Sequence, residues 1–299
     1  MSKKSLWILI PLVIIAIFIA LVIIGTLTKE KSPSRVGNNQ QQISGDLTKG
    51  VSLSPISFSG NDFTNFFTKA KEVGGLISWA GNWEELKNKN SAPYVLSSLS
   101  EQYKFKPVII TSIPDSYSED YKSTIVNFVK ENKPEYLAVG NEINNNYKES
   151  YPMTFSKIYE EIKKVSPETK VFTIFQLEKM KQSDNWDILD DFPQANLIAF
   201  TTYPEIIYQE TSQIPDNYYS EIQTHTGKKI AFTEVGWSRK ENQQVEFIQK
   251  FSEKVSPTNP EFRIWPFLYD QNIQAPFNIM GLLEKNQETS PAFEAWKRI

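Results

Sequence analysis

The 299-residue sequence has no cysteine and a single histidine, His225. The first absence excludes disulfides and thiolate metal sites. The second argues against a histidine-based metal centre or a Ser-His-Asp triad. Acid–base chemistry in this chain therefore rests on carboxylates, tyrosine or lysine, with no cofactor and no metal expected. An excess of either charge is also missing: 32 basic residues stand against 35 acidic ones, for a net charge of -3. A phosphate-backbone partner needs a concentrated basic surface, so no nucleic-acid partner is expected. Aromatic residues, by contrast, are abundant at 13% with 7 Trp, and several cluster near predicted strand ends.

Charge is absent again, locally, near the N-terminus. A short basic head, "MSKK", precedes a run from Leu6 to Leu27 that carries no charged residue. At about 1.5 Å per residue, a helix over about 22 residues spans a bilayer core of about 30 Å. The run is longer than the apolar core of a secretory signal, and no A-x-A-like cleavage site follows it. It reads as a signal anchor over residues 1–28, with residues 6–27 in the lipid bilayer. A cleaved signal and a secreted product are the alternative. Lys3 and Lys4 precede the span and belong on the cytoplasmic side, although Lys29 and Lys31 after it reduce the asymmetry. This places the remainder outside the cell. Residues 29–49, "KEKSPSRVGNNQQQISGDLTK", are polar without a hydrophobic period and read as a flexible stem.

Residues 50–299 have the length of one α/β barrel and repeat one pattern. Short apolar, β-rich runs occur at 50–55, 74–80, 106–113, 135–142, 170–178, 197–204, 229–237 and 263–270. Most are continuous rather than alternating, as in parallel strands buried on both faces. Their spacing of about 30 residues is that of one βα unit. Helical stripes lie between them, over 118–132, 155–165 and 245–255, and Pro167 and Pro257 help to stop the last two. The stretch "SDNWDILDDF" after the fifth run reads as short and poorly formed. Eight strand–helix units predict a (β/α)₈ TIM barrel. A doubly wound open sheet is the alternative, but it usually needs fewer strands, and no glycine-rich phosphate loop follows the first run.

Active sites of such barrels form at the C-terminal strand ends. Glu142 ends the fourth run, in "LAVGNEINNN", and Glu234 the seventh, in "IAFTEVGW". Either alone reads most simply as a cap or solvated loop residue. Two carboxylates facing each other across a barrel mouth are what glycosidic cleavage requires. Glu178, Glu205 and Asp270, near other strand ends, read as rim residues or substrate contacts. Glu84 and Glu85 read as first-turn acids that suit a helix dipole. Trp79, Trp83, Tyr203, Trp237 and Trp265 fall at or just beyond strand ends, where ring faces suit the C–H faces of a sugar. Asn144, Asn145 and Asn146 line a rim or form a turn. Trp296 reads as core in the closing helix.

"AVGNE" with "TEVGW" resembles the retaining glycoside hydrolases of the (β/α)₈ clan that carry catalytic acids on strands four and seven. The nearest motifs are those of family 53 endo-β-1,4-galactanases, then family 17 β-1,3-glucanases. The resemblance covers the strand order of residues 50–299 and about 20 residues of specific motif. It implies a retaining β-glycosidase that acts on a β-linked oligo- or polysaccharide, with Glu142 as acid/base and Glu234 as nucleophile. It further implies that Asn141 binds the sugar 2-hydroxyl, that Tyr203 hydrogen-bonds the nucleophile, and that Trp265 floors the reacting subsite. Trp79, Trp237 and Asn82 complete the expected substrate contacts. Many members carry an Arg near strand two and a His near strand six; this chain has Trp79 and Asn82, and Thr201 and Thr202, in those regions. The retaining mechanism implies carboxyl groups about 5–5.5 Å apart. It also implies a Glu142 pKa raised by its anionic neighbour. A glycan-binding barrel without catalysis, and a transglycosylase that remodels envelope glycan, are the other readings.

Overall fold

Each of the eight apolar runs contains a strand, and each strand is followed by a helix. The computed structural model describes residue 46 and residues 48–299. The expected anchor and nearly all of the stem lie outside the described residues. Among the described residues no helix is long and apolar enough to cross a membrane. The strands are β1 (Lys49–Ser52), β2 (Leu76–Gly81), β3 (Lys106–Thr111), β4 (Tyr136–Val139), β5 (Lys170–Gln176), β6 (Ile198–Thr202), β7 (Ile230–Val235) and β8 (Arg263–Trp265). The helices are α1 (Gly60–Ala70), α2 (Ala92–Tyr103), α3 (Glu119–Asn132), α4 (Tyr151–Val165), α5 (Leu177–Ser183), α6 (Ile222–His225), α7 (Gln244–Val255) and α8 (Pro291–Arg298). All neighbouring strands pair in parallel, and β8 returns to β1, which closes an eight-stranded barrel.

The barrel has two apolar layers because strand side chains alternate. Leu76, Val108, Ile110, Phe172, Ile174 and Ile264 fill its interior. The residues between them, such as Ile77, Ile109, Val171 and Phe175, pack outward against the helices. Alternation also decides the fate of two tryptophans. Leu76 faces inward on β2, so Trp79 falls in the outer layer; Ile264 faces inward on β8, so Trp265 does too.

Several strands are shorter than their apolar runs, for local reasons. β8 ends at Trp265 because Pro266 has no amide hydrogen to continue the ladder. β4 ends at Val139, where Gly140 takes φ +98°. A β-carbon there would sit 2.5 Å from Ile143 Cγ2, so only glycine turns the chain at this point. β5 ends at Gln176, whose side-chain oxygen accepts the Lys179 amide at 2.6 Å and starts α5 at once. The expected weak element after β5 is therefore displaced. The helix occupies Leu177–Ser183, while "SDNWDILDDF" holds only a 3₁₀ turn over Asp187–Leu189.

The N-terminal end of the barrel is held by paired charges. Lys49, 5% exposed, donates Nζ to the carbonyls of Trp296 (3.2 Å), Lys297 (2.9 Å) and Ile299 (2.5 Å). A cation at the C-terminal end of α8 opposes the helix dipole and ties the first strand to the last helix. Nearby, Glu261 accepts both Lys170 Nζ and the Tyr136 hydroxyl.

Candidate active site

The chain needs two irregularities to bring Glu142 and Glu234 to the opposite, C-terminal end. Glu142 lies just past β4 at φ 47° and ψ 45°. A non-glycine residue in the left-handed region is uncommon and costs roughly 1–3 kcal/mol, and such strain clusters at functional sites. The turn swings the carboxyl group toward β6. There Oε1 accepts Thr201 Oγ1 at 2.6 Å, and Oε2 accepts Asn145 Nδ2 at 2.8 Å.

Glu234 depends on a bulge. On β7, Ile230 and Phe232 face the helices and Ala231 faces inward, so strict alternation would send Glu234 outward. The β6–β7 ladder instead steps from Phe200–Phe232 to Thr201–Glu234, which leaves Thr233 as an extra residue. A bulge re-aims the side chain that follows it. Glu234 thereby meets the Tyr203 hydroxyl, which donates to its Oε2. Tyr203 is fixed in turn by the edge-to-face ring of Phe277, at 5.2 Å between centroids. It also lies against Gly236, where a β-carbon would come within 2.5 Å of its ring.

The two carboxyl groups feel each other. Burial, then the charge of Glu142, pushes Glu234 up to about 7, against the Tyr203 hydrogen bond that favours its ionised form. Burial also raises Glu142, opposed by hydrogen bonds from Thr201 and Asn145 and by the charge of Lys179. The retaining pattern led to the expectation that the neighbouring charge raises Glu142. More partners favour the ionised form of Glu142 than of Glu234, so the repulsion falls on Glu234 instead.

The other expected site residues divide sharply. Asn141 is exposed beside Glu142. Asn82 is the N-cap of the 3₁₀ turn Trp83–Lys87, accepting the Glu84 amide at 2.9 Å, so its carbonyl oxygen is already engaged. Trp79, Trp237 and Trp265 are buried at 2%, 2% and 0% exposure in the outer layer. Trp265 packs on Trp296 and gives its indole N–H to the Met280 carbonyl at 2.7 Å, and Trp237 stacks on Phe247. These three rings have no free face for a sugar: strand parity turns Trp79 and Trp265 toward the helices, and Trp237, two residues past β7, stacks on a ring of α7. Trp83 is half-buried, with its ring edge-to-face on Tyr121. The half-buried aromatic ring in contact with Tyr203 is Phe277, from the loop after β8.

Among the competing acids, Glu178 is not on the rim: it lies in the first turn of α5, 1% exposed. Glu205 accepts the Ser238 amide at 3.2 Å, and Asp270 pairs with Arg239. Asn144 bridges to the end of β5, with Nδ2 on the Gln176 carbonyl at 2.9 Å and Oδ1 taking the Gln176 amide at 2.8 Å. Sequence reasoning missed Thr201 and Asn145 as partners of Glu142, and Lys179 as the cation beside it. Thr201 was legible only as a departure from a family pattern; Asn145 stood three residues from Glu142, a reachable spacing in a turn.

No protein-family model matches the chain, and no curated protein matches it. Solved structures do resemble it. One is a family 39 glycoside hydrolase from the gut symbiont Bacteroides cellulosilyticus WH2, with 18% identity, a TM-score of 0.61, and coverage of 85% of this chain and 63% of that one. Another is the GH53 catalytic domain of Ignisphaera aggregans, with 13% identity, a TM-score of 0.58, and coverage of 84% and 95%. A third is a GH128 (subgroup I) endo-β-1,3-glucanase from Amycolatopsis mediterranei, solved with laminarihexaose, with 14% identity, a TM-score of 0.52, and coverage of 84% and 99%. The chain thus spans 63% of the length of the family 39 protein.

Proposed function

We propose that this chain is a retaining β-glycosidase that cleaves a β-linked oligo- or polysaccharide by double displacement. The observation that carries the reading is the convergence of Glu142 and Glu234 at the barrel mouth, each held by a hydroxyl of β6 or the residue after it. The three fold neighbours are all carbohydrate-active enzymes, which supports the same reading.

The pair carries one proton near neutral pH, because like charges at close range do not both ionise easily. When a glycosidic oxygen approaches Glu142, the proton is held there and Glu234 is ionised. Glu234 attacks the anomeric carbon while Glu142 gives its proton to the leaving oxygen. A glycosyl ester forms on Glu234 and the first sugar product departs. Glu142, now a carboxylate, takes a proton from water, whose oxygen attacks the anomeric carbon and releases Glu234. A sugar hydroxyl in place of water gives transglycosylation with the same residues.

The test is a screen of the full-length protein against β-galactans, β-glucans and β-mannans, with readouts for new reducing ends and for transfer products. Turnover with retention of anomeric configuration is expected. Inversion overturns the double displacement, and binding without turnover moves the reading to a glycan-binding barrel. We propose further that residues 1–28 tether the barrel to the membrane, on the outer side. The uncharged run from Leu6 to Leu27 motivates this. Protease added to intact cells is then expected to remove the barrel, and a product with a new N-terminus near residue 28 in the medium would overturn the tether.

A further inference from the structure

Three consecutive hydroxyls run from the end of β6 into the next residue, and each donates to a different glutamate. Thr201 reaches Glu142 at 2.6 Å, Thr202 reaches Glu178 at 2.7 Å, and Tyr203 reaches Glu234. The glutamates follow β4, follow β5 and lie on β7. Two of them form the proposed reacting pair. The third takes no part in the double displacement, yet it is the most buried of the three.

Glu178 sits in a cradle made of donors. Its Oε1 accepts Thr202 Oγ1 and the Tyr218 hydroxyl at 3.0 Å, and its Oε2 accepts Gln176 Nε2 at 2.8 Å. Tyr203, Tyr208, Tyr218 and Tyr219 are the titratable groups that feel its charge, and no salt bridge to it occurs among the described residues. A cation would neutralise this carboxyl group; hydroxyls and amides orient it instead. Burial raises its pKa in spite of these donors. Placing such a group in the interior costs stability, which only a precise set of hydrogen bonds offsets.

What the cradle fixes is Tyr203. The residue before it, Thr202, is held by Glu178, and the Tyr203 phenol holds Glu234. Between these ends the chain leaves β6 and enters the 3₁₀ turn Pro204–Ile206, at φ -137° and ψ 74° for Tyr203. A shift of the main chain at this junction moves the phenol with it. We propose that Glu178 is a positioning residue: it anchors Thr202, the residue before Tyr203, and through the Tyr203 phenol sets the orientation of Glu234. This inference rests on the glycosidase reading for its kinetic consequence but not for its structural one.

The experiment follows the Glu234 carboxyl group itself. Full-length protein labelled with ¹³C at the glutamate carboxyl carbon is titrated by NMR, with Glu234→Gln assigning the signal. Glu178→Leu keeps the volume and removes every acceptor. The Tyr203 phenol then loosens, and its hydrogen bond, which favours ionised Glu234, weakens. The Glu234 titration is expected to move to higher pH, and kcat to fall by up to about 10²-fold with KM within about twofold. Glu178→Gln retains an acceptor for Thr202 and Tyr218 and is expected to recover most of both losses. In a Tyr203→Phe background, Glu178→Leu is expected to add no further shift. A titration unmoved by Glu178→Leu in a folded protein overturns the proposal, as does an equal shift without the phenol. Failure of Glu178→Gln to recover the loss also overturns it, since that assigns the effect to charge. If Glu178→Leu does not fold, Thr202→Val and Tyr218→Phe loosen the cradle singly, and an unmoved Glu234 in both overturns the proposal equally. A wild-type protein that turns over no glycan, with the NMR coupling intact, refutes the glycosidase reading and leaves the positioning role standing.

Discussion

The two ends of this barrel treat carboxylates in opposite ways. At the N-terminal end, burial pushes Glu261 up, but hydrogen bonds from Lys170 and Tyr136 and the charge of Lys170 bring it below the ordinary range. Lys49 lies there on three helix-terminal carbonyls. At the C-terminal end, Glu142, Glu178, Glu205 and Glu234 are all raised, by burial first in every case. Their main neighbours are hydroxyls, amides and each other. One end lowers Glu261 with a cation and a hydroxyl; the other buries its glutamates among hydroxyls and amides and sets the charge of Glu142 against Glu234, which favours the protonated forms. On the proposed glycosidase reading stability belongs to the first end and chemistry to the second. Substitutions at either end can break this division.

The largest effect is expected at the crowded end. On the proposed mechanism Glu142→Gln removes the proton donor to the leaving oxygen, so turnover of a natural glycan is expected to fall by roughly 10²–10⁴-fold. An activated aryl glycoside, whose leaving group is already a stable anion, is expected to lose far less in its first step. Paired kinetics on the two substrate types make the comparison. Equal losses on both would remove Glu142 from the acid role.

The pH dependence of stability is expected to run in opposite directions at the two ends. Glu234 has a folded value of about 7, above its ordinary 4.5. A raised carboxyl contributes stability that is fully present below 4.5 and is lost as pH rises through about 7. Glu142 and Glu178 act with the same sign. Glu261, lowered, contributes stability above its ordinary value of 4.5 and loses it as pH falls through the lowered value. Melting temperature is therefore expected to decline from about pH 5 to about pH 7.5, and Glu234→Gln to flatten that decline. Glu261→Gln is expected to leave it in place and to soften the loss below pH 4.5. A slope over the same range that survives Glu234→Gln unchanged would show that the crowding is not felt by Glu234.

A smaller and purely structural effect is expected at the paired end. Lys49→Met keeps the stem of the side chain and deprives three carbonyls of their donor. The cost is about 1–3 kcal/mol for buried groups left unsatisfied. For a chain of this size each kcal/mol lowers Tm by about 2–4 °C. Glycan turnover at room temperature is expected to stay within about twofold. A loss of turnover without a loss of Tm would contradict the separation of the two ends.

The amino-acid sequence made the barrel legible because its signal repeats. Eight apolar runs at one spacing survive errors of a few residues at each boundary, so the closure of β1 on β8 followed from the count alone. Glu142 and Glu234 were legible as strand-end acids. Side-chain direction was not. Parity along β2 and β8 sends Trp79 and Trp265 into the helical layer, and strand position by itself does not reveal that parity until the inward-facing residues are known. The same parity would have pointed Glu234 outward, and only the extra Thr233 corrects it, a one-residue event with no periodic trace. The partners of Glu142 illustrate a third limit. Asn145 is local in sequence, whereas Thr201 is 59 residues away and becomes a neighbour only once β4 and β6 share the barrel mouth.

Thr201 supplies the finest test of the crowded end, because it acts on one carboxyl group with one bond. Its hydroxyl donates to Glu142 Oε1 at 2.6 Å, and this favours the ionised form. Thr201→Val keeps the branched shape and deletes the donor. A single hydrogen bond to a charged group contributes about 1.5–3 kcal/mol when buried, less when the group is partly open to water, as Glu142 is. A change of about 1.4 kcal/mol corresponds to tenfold in an equilibrium. The sign is fixed by which form loses its partner: ionised Glu142 does, so its pKa is expected to rise. With a glycosidic oxygen against it, the proposed general acid then stays protonated to higher pH, and the basic limb of kcat, which reports the bound complex, is expected to move upward by up to about one pH unit. The acidic limb, which reports Glu234, is expected to move far less or fall slightly, since a more protonated Glu142 repels Glu234 less. Thr201→Ser retains the donor and is expected to restore the wild-type basic limb. A basic limb that moves downward in Thr201→Val, or that moves equally in Thr201→Ser, would detach Glu142 from that limb and with it the assignment of the proton donor.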